Sequence, residues 1–473
     1  MKLMLFAPEL LLLLGSLALF FMTTGKVGGK KARSFTLTLA IANIFLCFAC
    51  LHNEGMLFFD AYKIDFFSQA LKICISLGFA IVLLFSTELK GIKDEVRPEY
   101  YLFMLMSTIG LIMMVSSVEL LSMFIALELS SYSLYLLVPM REDRAGLRMQ
   151  MESAIKYIMF GVVATGIMLF GMSYLFGLTG TTYFSELIPA MHGLMGNPAA
   201  IVAVVMVLGG FLYKLGVFPL HFWVPDVYQG ASNETTAFIS SVPKIAAVAM
   251  LVRILALVTP EGKSLVTLLM VLSVCSMFYG NLVALVQTDI KRMLGFSGIA
   301  HAGYVLLGLI TLQDSGYATS LYYITGYLLM NLACFLVICQ VAQDGENLAI
   351  DDLSGLHQRS PLLALTLAVG MFALAGIPPF VGFMGKFMLL TGALKQGYLL
   401  LVILAAINTA ISIYYYLSVV RVAYCNSPEQ RPEVVVGGIT KSVSLALVVI
   451  IIALGIAPNQ IIQIATDVVR TIQ

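Results

Sequence analysis

Apolar runs of about 20 residues, almost free of charge, recur from one end of this sequence to the other. Runs of that length cross a bilayer as helices, so the chain reads as an all-α polytopic membrane protein. Composition agrees. Of 473 residues, 60% are hydrophobic and 11% charged, against about 25% charged in a soluble domain. The net charge of +1 gives no basis for a nucleic-acid partner.

A span-length window predicts about fourteen helices. Their expected limits are 3–22, 34–52, 66–87, 100–116, 118–138, 153–176, 199–222, 235–258, 264–286, 293–311, 319–341, 361–391, 396–420 and 439–457. Met1 to Phe21 resembles a signal peptide only in outline. It lacks a convincing small-residue cleavage site and Glu9 interrupts it, so a retained first span is expected. The odd-numbered loops and their edges carry 16 lysines and arginines, from Lys26 through Arg144 to Lys441. The even-numbered loops carry 3, Lys63, Lys263 and Lys395. That bias places odd loops on the cytoplasmic side and both termini opposite.

Against this background Gly209 to Ala231, GGFLYKLGVFPLHFWVPDVYQGA, stands out. It carries Lys214 deep in an apolar run and is broken by Gly216, Pro219 and Pro225. A lysine at a helix centre in hydrocarbon costs roughly 2.5–3.5 kcal/mol or more. A broken helix opens carbonyls, which are tolerated at that depth only beside protein or water, and interrupted helices mark ion paths in transporters. The twelfth span repeats the pattern as AGIPPFVGFMGKF, with Pro378, Pro379, Gly382, Gly385 and Lys386. Spans seven and twelve lie five apart. Five is odd, so spans 4–8 and 9–13 form an expected inverted pair. The division is then one membrane domain over 1–473. It comprises N-terminal helices 1–3 (1–99), a first repeat (100–258), a second repeat (264–421) and a C-terminal helix 14 (422–473).

Other charges lie at depth. Glu128, in FIALELSSYSLY, is either a neutral, hydrogen-bonded carboxyl or the partner of a nearby ammonium. Lys244 follows Pro243 in the middle of span eight. Burial favours a lysine's neutral form and a nearby carboxylate its charged form, so a lysine balanced between them can load and release a proton. Lys386 qualifies on the same grounds. His301, in GFSGIAHAGY, can bridge Lys244 and Lys386 or serve as a hydrogen-bonded core residue. Lys156 has Glu152 four residues before it, and coupling and snorkelling are both open. Lys72 and Arg253 are expected to snorkel to the outer surface. Asp226 is expected to cap the next element or tether the break. Six of the seven cysteines lie inside apolar runs and Cys425 follows one. Cys47-x-x-Cys50 has metal-like spacing but no partner pair, so packing is its preferred reading. No iron–sulfur pattern, Walker loop or dinucleotide fingerprint occurs, so no redox chemistry is expected on this chain.

The segment FPLHFWVPDVYQGASNETTAF, followed by SSVPKIAA, resembles the antiporter-like proton-pumping subunits of respiratory complex I. GNLVALVQTDIKRMLGFSGIAHAGY, GIPPFVGFMGKF and AISIYYYLSVV narrow the resemblance to the subunit N family of NADH:quinone oxidoreductase. It covers essentially the whole chain, and departs at SNETTAF from a PTP-containing version found in many relatives. The resemblance implies fourteen helices with inverted five-helix repeats. It also implies a proton path falling on Glu128, Lys214, Lys244 and Lys386, with Lys156 matching a further lysine of span six. It implies no cofactor on this chain, with FMN, iron–sulfur clusters and quinone on other subunits. The implied partners are antiporter-like subunit M, small subunits K and J, the lateral helix of subunit L and the lipid of a cell inner membrane. A subunit of a multi-subunit cation/proton antiporter is the alternative, and a purely bracing role a second one.

Overall fold

In hydrocarbon each backbone N–H and C=O must be satisfied within the protein, and the apolar stretches do so as helices. The computed structural model describes every residue except 1, 26, 144, 145, 147, 195, 259–262, 343, 429, 430 and 473. Lys26 and Arg144, counted above among the loop cations, lie outside the described residues. The main helices are α1 (Ala7–Thr24), α2 (Gly29–Ala49), α3 (Phe66–Phe85), α4 (Arg97–Ser116), α5 (Leu120–Leu137), α6 (Met149–Thr179), α7 (Pro198–Leu215), α8 (Trp223–Gly230), α9 (Asn233–Leu255), α10 (Lys263–Ala284), α11 (Ile290–Leu309), α12 (Asp314–Val341), α13 (Pro361–Ala375), α14 (Val381–Lys395), α15 (Leu399–Cys425), α16 (Gly438–Ile456) and α17 (Asn459–Arg470).

Among the described residues, 12 helices are long and apolar enough to cross a membrane. Helix α11 is not among them, because Lys291, Arg292, Ser297, His301 and its glycines dilute its apolar character. The pair α13–α14 is excluded because each half is 15 residues long. The window had run span seven on to residue 222, but the helix stops at Leu215, where the glycine and proline content takes over. Two features were not expected from the apolar pattern. A short hairpin pairs β1 (Gly55–Leu57) with β2 (Tyr62–Ile64), and α17 is a polar-faced helix following the last span.

Loops join in two sets. Ile92 pairs with Arg141 and Asp289 with Ala349, all in odd-numbered loops or at their edges. Tyr62 pairs with Ser117 and Glu119 with Tyr183, all in even-numbered ones. This is the segregation that alternating crossings require.

Helix α9 is the centre of the molecule, and every residue from Asn233 to Leu255 is buried. Small residues let backbones meet elsewhere, the usual basis of helix packing in lipid. A Cβ on Gly110 of α4 would lie 2.5 Å from Ser130 N and 2.8 Å from Ala126 O of α5. A Cβ on Gly280 of α10 would lie 2.6 Å from both Ala300 N and Phe296 O of α11. The same close approach, to residues four apart, thus recurs between spans four and five and between nine and ten.

Two expectations for charged residues are corrected. Lys72 does not snorkel. It is fully buried and paired with Glu9 of α1 at 2.5 Å, whose other contact is the Tyr62 hydroxyl at 2.7 Å. Arg253 is also buried and donates to both carboxylate oxygens of Asp65 at 3.1 Å. A buried carboxylate within reach makes pairing cheaper than stretching each side chain to water. These pairs bind the N-terminal helices to each other and to α9.

Candidate functional site

Both broken helices end in the same way. Gly216 closes α7 at φ +82° and Gly376 closes α13 at φ +85°, a left-handed conformation that glycine adopts without a Cβ penalty. Gly216 N and Val217 N both bond Leu212 O, and Gly376 N and Ile377 N both bond Phe372 O. Proline follows three residues after each glycine, at Pro219 and Pro379. The chain then re-enters helix at Trp223 in the first case and Val381 in the second.

Lys214 lies in the last turn of α7 and is 6% exposed. Its Nζ donates to Ser130 Oγ at 3.2 Å and Ser131 Oγ at 3.1 Å on α5. Glu128 lies on the same helix, also buried, and its Oε1 has no hydrogen-bond partner among the described residues. The carboxylate and the ammonium do not touch directly. The serine hydroxyls take the ammonium instead, so this conformation holds the expected Glu128–Lys214 pair separated.

Lys244, on α9, is buried within 3.4 Å of Gly298 O and 5.0 Å from the centre of the Tyr327 ring. That geometry provides a cation–π contact in place of a counter-ion. Gly298 makes room for it, because a Cβ there would lie 2.9 Å from Lys244 Nζ. His301 follows one turn along α11. Its ring centre is 5.0 Å from that of Tyr327. Its Nδ1 meets Tyr323 Oη at 2.6 Å and its Nε2 meets Tyr416 Oη at 3.0 Å. Tyr416 in turn contacts Ser297 Oγ. Lys386, on α14, donates to Leu374 O at 3.0 Å and Ala375 O at 3.2 Å, and sits 4.8 Å from the centre of the Tyr304 ring.

The structure therefore places Glu128 beside the serines that hold Lys214, without contact between the pair, and Lys244 with His301 and the tyrosines leading to Lys386. Lys156 stands apart. It is partly exposed, paired with Glu152 at 2.7 Å and with Asp226 at 2.8 Å. Asp226 also holds Arg292 at 2.7 Å, so it tethers α8 to α6 and α11. The polar residues between the lysines were not singled out in the sequence, namely Ser130, Ser131, Tyr327, Tyr323 and Asn331. A signal was available, since Tyr323, Tyr327 and Asn331 recur every four residues on one face of α12. Among the described residues no cluster of histidine, cysteine, aspartate or glutamate could hold a metal ion.

Residues 117–412 match a family profile described as NADH:quinone oxidoreductase/Mrp antiporter, TM. The chain is 51% identical over 470 residues to NADH-quinone oxidoreductase subunit N 2 of Opitutus terrae, covering 99% of this chain and 98% of that protein. It is 41% identical to the protein of the same name from Syntrophobacter fumaroxidans, covering 100% of both. The chain belongs to the NADH-quinone oxidoreductase subunit N family. In three dimensions it resembles a chain of respiratory complex I from Thermus thermophilus with a TM-score of 0.82, at 28% identity, over 96% of this chain and 98% of that one. It also resembles a chain of the Mrp complex from Dietzia sp. with a TM-score of 0.88, over 100% of this chain and 98% of that one. At 20% identity that likeness concerns the fold alone. The subunit N family accounts for a multi-pass, antiporter-like helical membrane protein built into a larger complex.

Proposed function

We propose that this chain translocates protons across the cell inner membrane as a membrane-arm subunit of an NADH:quinone oxidoreductase. Electron transfer from NADH to quinone, with FMN and iron–sulfur clusters, would take place on other subunits. The observation that carries the reading is a series of buried ionisable side chains, from Glu128 and Lys214 through Lys244 and His301 to Lys386, with hydroxyls against Lys214 and His301. In the separated state Lys214 rests on Ser130 and Ser131. Closure of the Glu128–Lys214 pair would favour the charged lysine, and its opening would release the proton toward Lys244. Tyr327, His301, Tyr323 and Tyr416 line the onward route to Lys386.

In this arrangement spans 4–8 and 9–13 form inverted repeats within fourteen crossings, and both termini face away from the cytoplasm. Antiporter-like subunit M, small subunits K and J and the lateral helix of subunit L are the proposed neighbours. Moving one proton against a potential costs about 2.3 kcal/mol per 100 mV.

The test is Lys244→Met in the intact complex, reconstituted in vesicles, with proton uptake and NADH:quinone turnover measured together. Loss of proton translocation with the complex still assembled is the expected outcome. Undiminished translocation at an unchanged proton-to-electron ratio would falsify the path. Sodium- or potassium-dependent exchange without redox turnover would favour the cation/proton antiporter.

A further inference from the structure

The segment SNETTAF places a carboxyl at the start of the innermost helix. Glu234 is the second residue of α9, is 4% exposed, and its Oε2 has no hydrogen-bond partner among the described residues. It lines a cleft of about 320 Å³ together with Glu88, Lys90, Gln340, Cys339 and Thr440. Those residues come from the α3–α4 loop, the end of α12 and the start of α16, all on the face of the odd-numbered loops. A buried carboxyl that lines a polar cleft and has one oxygen without a hydrogen bond is placed to exchange protons with the water the cleft admits.

Inward from Glu234 the same helix carries a polar stripe. Ser241 lies two turns on and Lys244 three residues beyond that. The separation of Glu234 from Lys244 along the helix is about 15 Å. Asn331 of α12 donates to Ser240 Oγ at 2.6 Å and to Ser241 Oγ at 2.9 Å. Ser240 donates its own proton to Ala237 O at 3.2 Å, whereas Ser241, accepting from the amide, keeps its proton to pass on.

We propose that Glu234 is the proton-uptake residue of this chain, charging Lys244 from the odd-loop face through Ser241 and intervening water. The assignment rests on the proton path proposed above. In the step, the Glu234 O–H bond breaks while an N–H bond forms on neutral Lys244, with the Ser241 hydroxyl giving one proton and receiving another. The Glu234 carboxylate then regains a proton from hydronium or buffer in the cleft. Lys291 and Arg141 lie near enough to Glu234 to stabilise its carboxylate. Lys90, Glu88 and Cys339 from the cleft, and Tyr100 and Tyr101 of α4, also face it among the described residues.

The experiment compares Glu234→Gln, Glu234→Asp and Lys244→Met in the intact complex in vesicles. Proton uptake and quinone-coupled turnover are followed from pH 6 to 8.5. Glu234→Gln should slow coupled turnover at the alkaline end on the order of tenfold, with a smaller deficit at pH 6 where protons are plentiful. Glu234→Asp should recover most of the rate. Added formate, a small weak acid, should partly restore the glutamine variant, which a merely structural defect would not allow. If Glu234→Gln assembles and keeps the wild-type rate and pH profile, the assignment is overturned.

Should Glu234→Gln fail to assemble, the cleft can be blocked instead. Ile439→Cys, made in a Cys425→Ser chain, would be modified with a charged thiol reagent. Slowed uptake is expected, and unchanged uptake refutes the proposal. Lys244→Met separates the two levels. If it still pumps, the underlying path falls. If it is inactive while Glu234 variants are normal, only the uptake role falls.

Discussion

The two broken helices share a glycine, a proline and a backbone turn, yet they employ their lysines differently. At the first break no carbonyl is held by the Lys214 ammonium, which lies against the Ser130 and Ser131 hydroxyls. Tyr213 O accepts from the Trp223 indole at 2.9 Å and from Gly216 N at 3.0 Å. Lys214 precedes the break and is left to the serine hydroxyls and Glu128. At the second break Lys386 follows the turn and reaches back to Leu374 O and Ala375 O. One lysine is free to change partners, whereas the other also holds a helix end together. The lesson is that a repeated backbone device need not repeat its chemistry, because the side of the break on which a lysine falls decides what it can bind.

This contrast can be broken most forcefully with arginine, which stays charged at any accessible pH. Lys214→Arg and Lys386→Arg should both lower proton translocation on the order of 100-fold or more. Only Lys386→Arg should retain the carbonyl contacts, and subunit assembly in native membranes would report that. Lys386→Met should then destabilise the chain by about 1–3 kcal/mol for each orphaned carbonyl, read as subunit loss on mild heating. Lys214→Met should cost visibly less, since Ser131 Oγ keeps its bond to Leu127 O at 2.8 Å. Equal stability of the two methionine variants would sink the comparison.

The glycines sharpen it further. Alanine at either one meets a left-handed backbone and costs about 1–2 kcal/mol. A Cβ on Gly376 would lie 3.0 Å from Lys386 Cδ, whereas one on Gly216 would lie 2.8 Å from Val224. Gly376→Ala should therefore lower pumping beyond its effect on stability, and Gly216→Ala should affect stability alone, checked by the ratio of pumping to assembled complex.

The smallest effect is a pH control far from both breaks. Burial pushes the Asp65 carboxyl up, but Arg253, the Ser68 N–H and Lys63 together outweigh that and hold it below its ordinary value. Its stabilisation is then fully present above the ordinary carboxylate value of about 4, and is lost as pH falls through the lower folded-state value. Acid should loosen α1–α3 in the wild type, and Asp65→Asn should remove that titration. Hydrogen exchange of the N-terminal helices would follow it, and an identical acid response in both would refute the role.

Much of this was legible in the sequence. Length and apolarity place helices in the expected stretches, and glycine with proline beside a lysine marks both breaks. Glu128, Lys214, Lys244, His301 and Lys386 stand out because a charge in an apolar run is costly. Less visible was anything that depends on a neighbour from another helix. Lys72 and Arg253 look like snorkelling residues until Glu9 and Asp65 are brought against them. The hydroxyls of Ser130 and Ser131 carry no net charge, so no cost in the local pattern flags them, and Tyr327 shows only through its four-residue spacing from Tyr323 and Asn331. Lys156 has the i,i+4 Glu152 in plain view, yet its link to Asp226 depends on the turn after α7.

The pairing of Asp65 with Arg253 also bears on how this chain can be shortened. Losing the first three helices would remove Glu9 and Lys72 as a balanced couple. It would also take Asp65 from Arg253 and strand a guanidinium in the innermost helix. A lineage that discarded its N-terminus would need to change Arg253 in the same step, or recruit a carboxylate from another polypeptide. The ancestry of such a truncation should thus be written at position 253, far from the residues that disappeared.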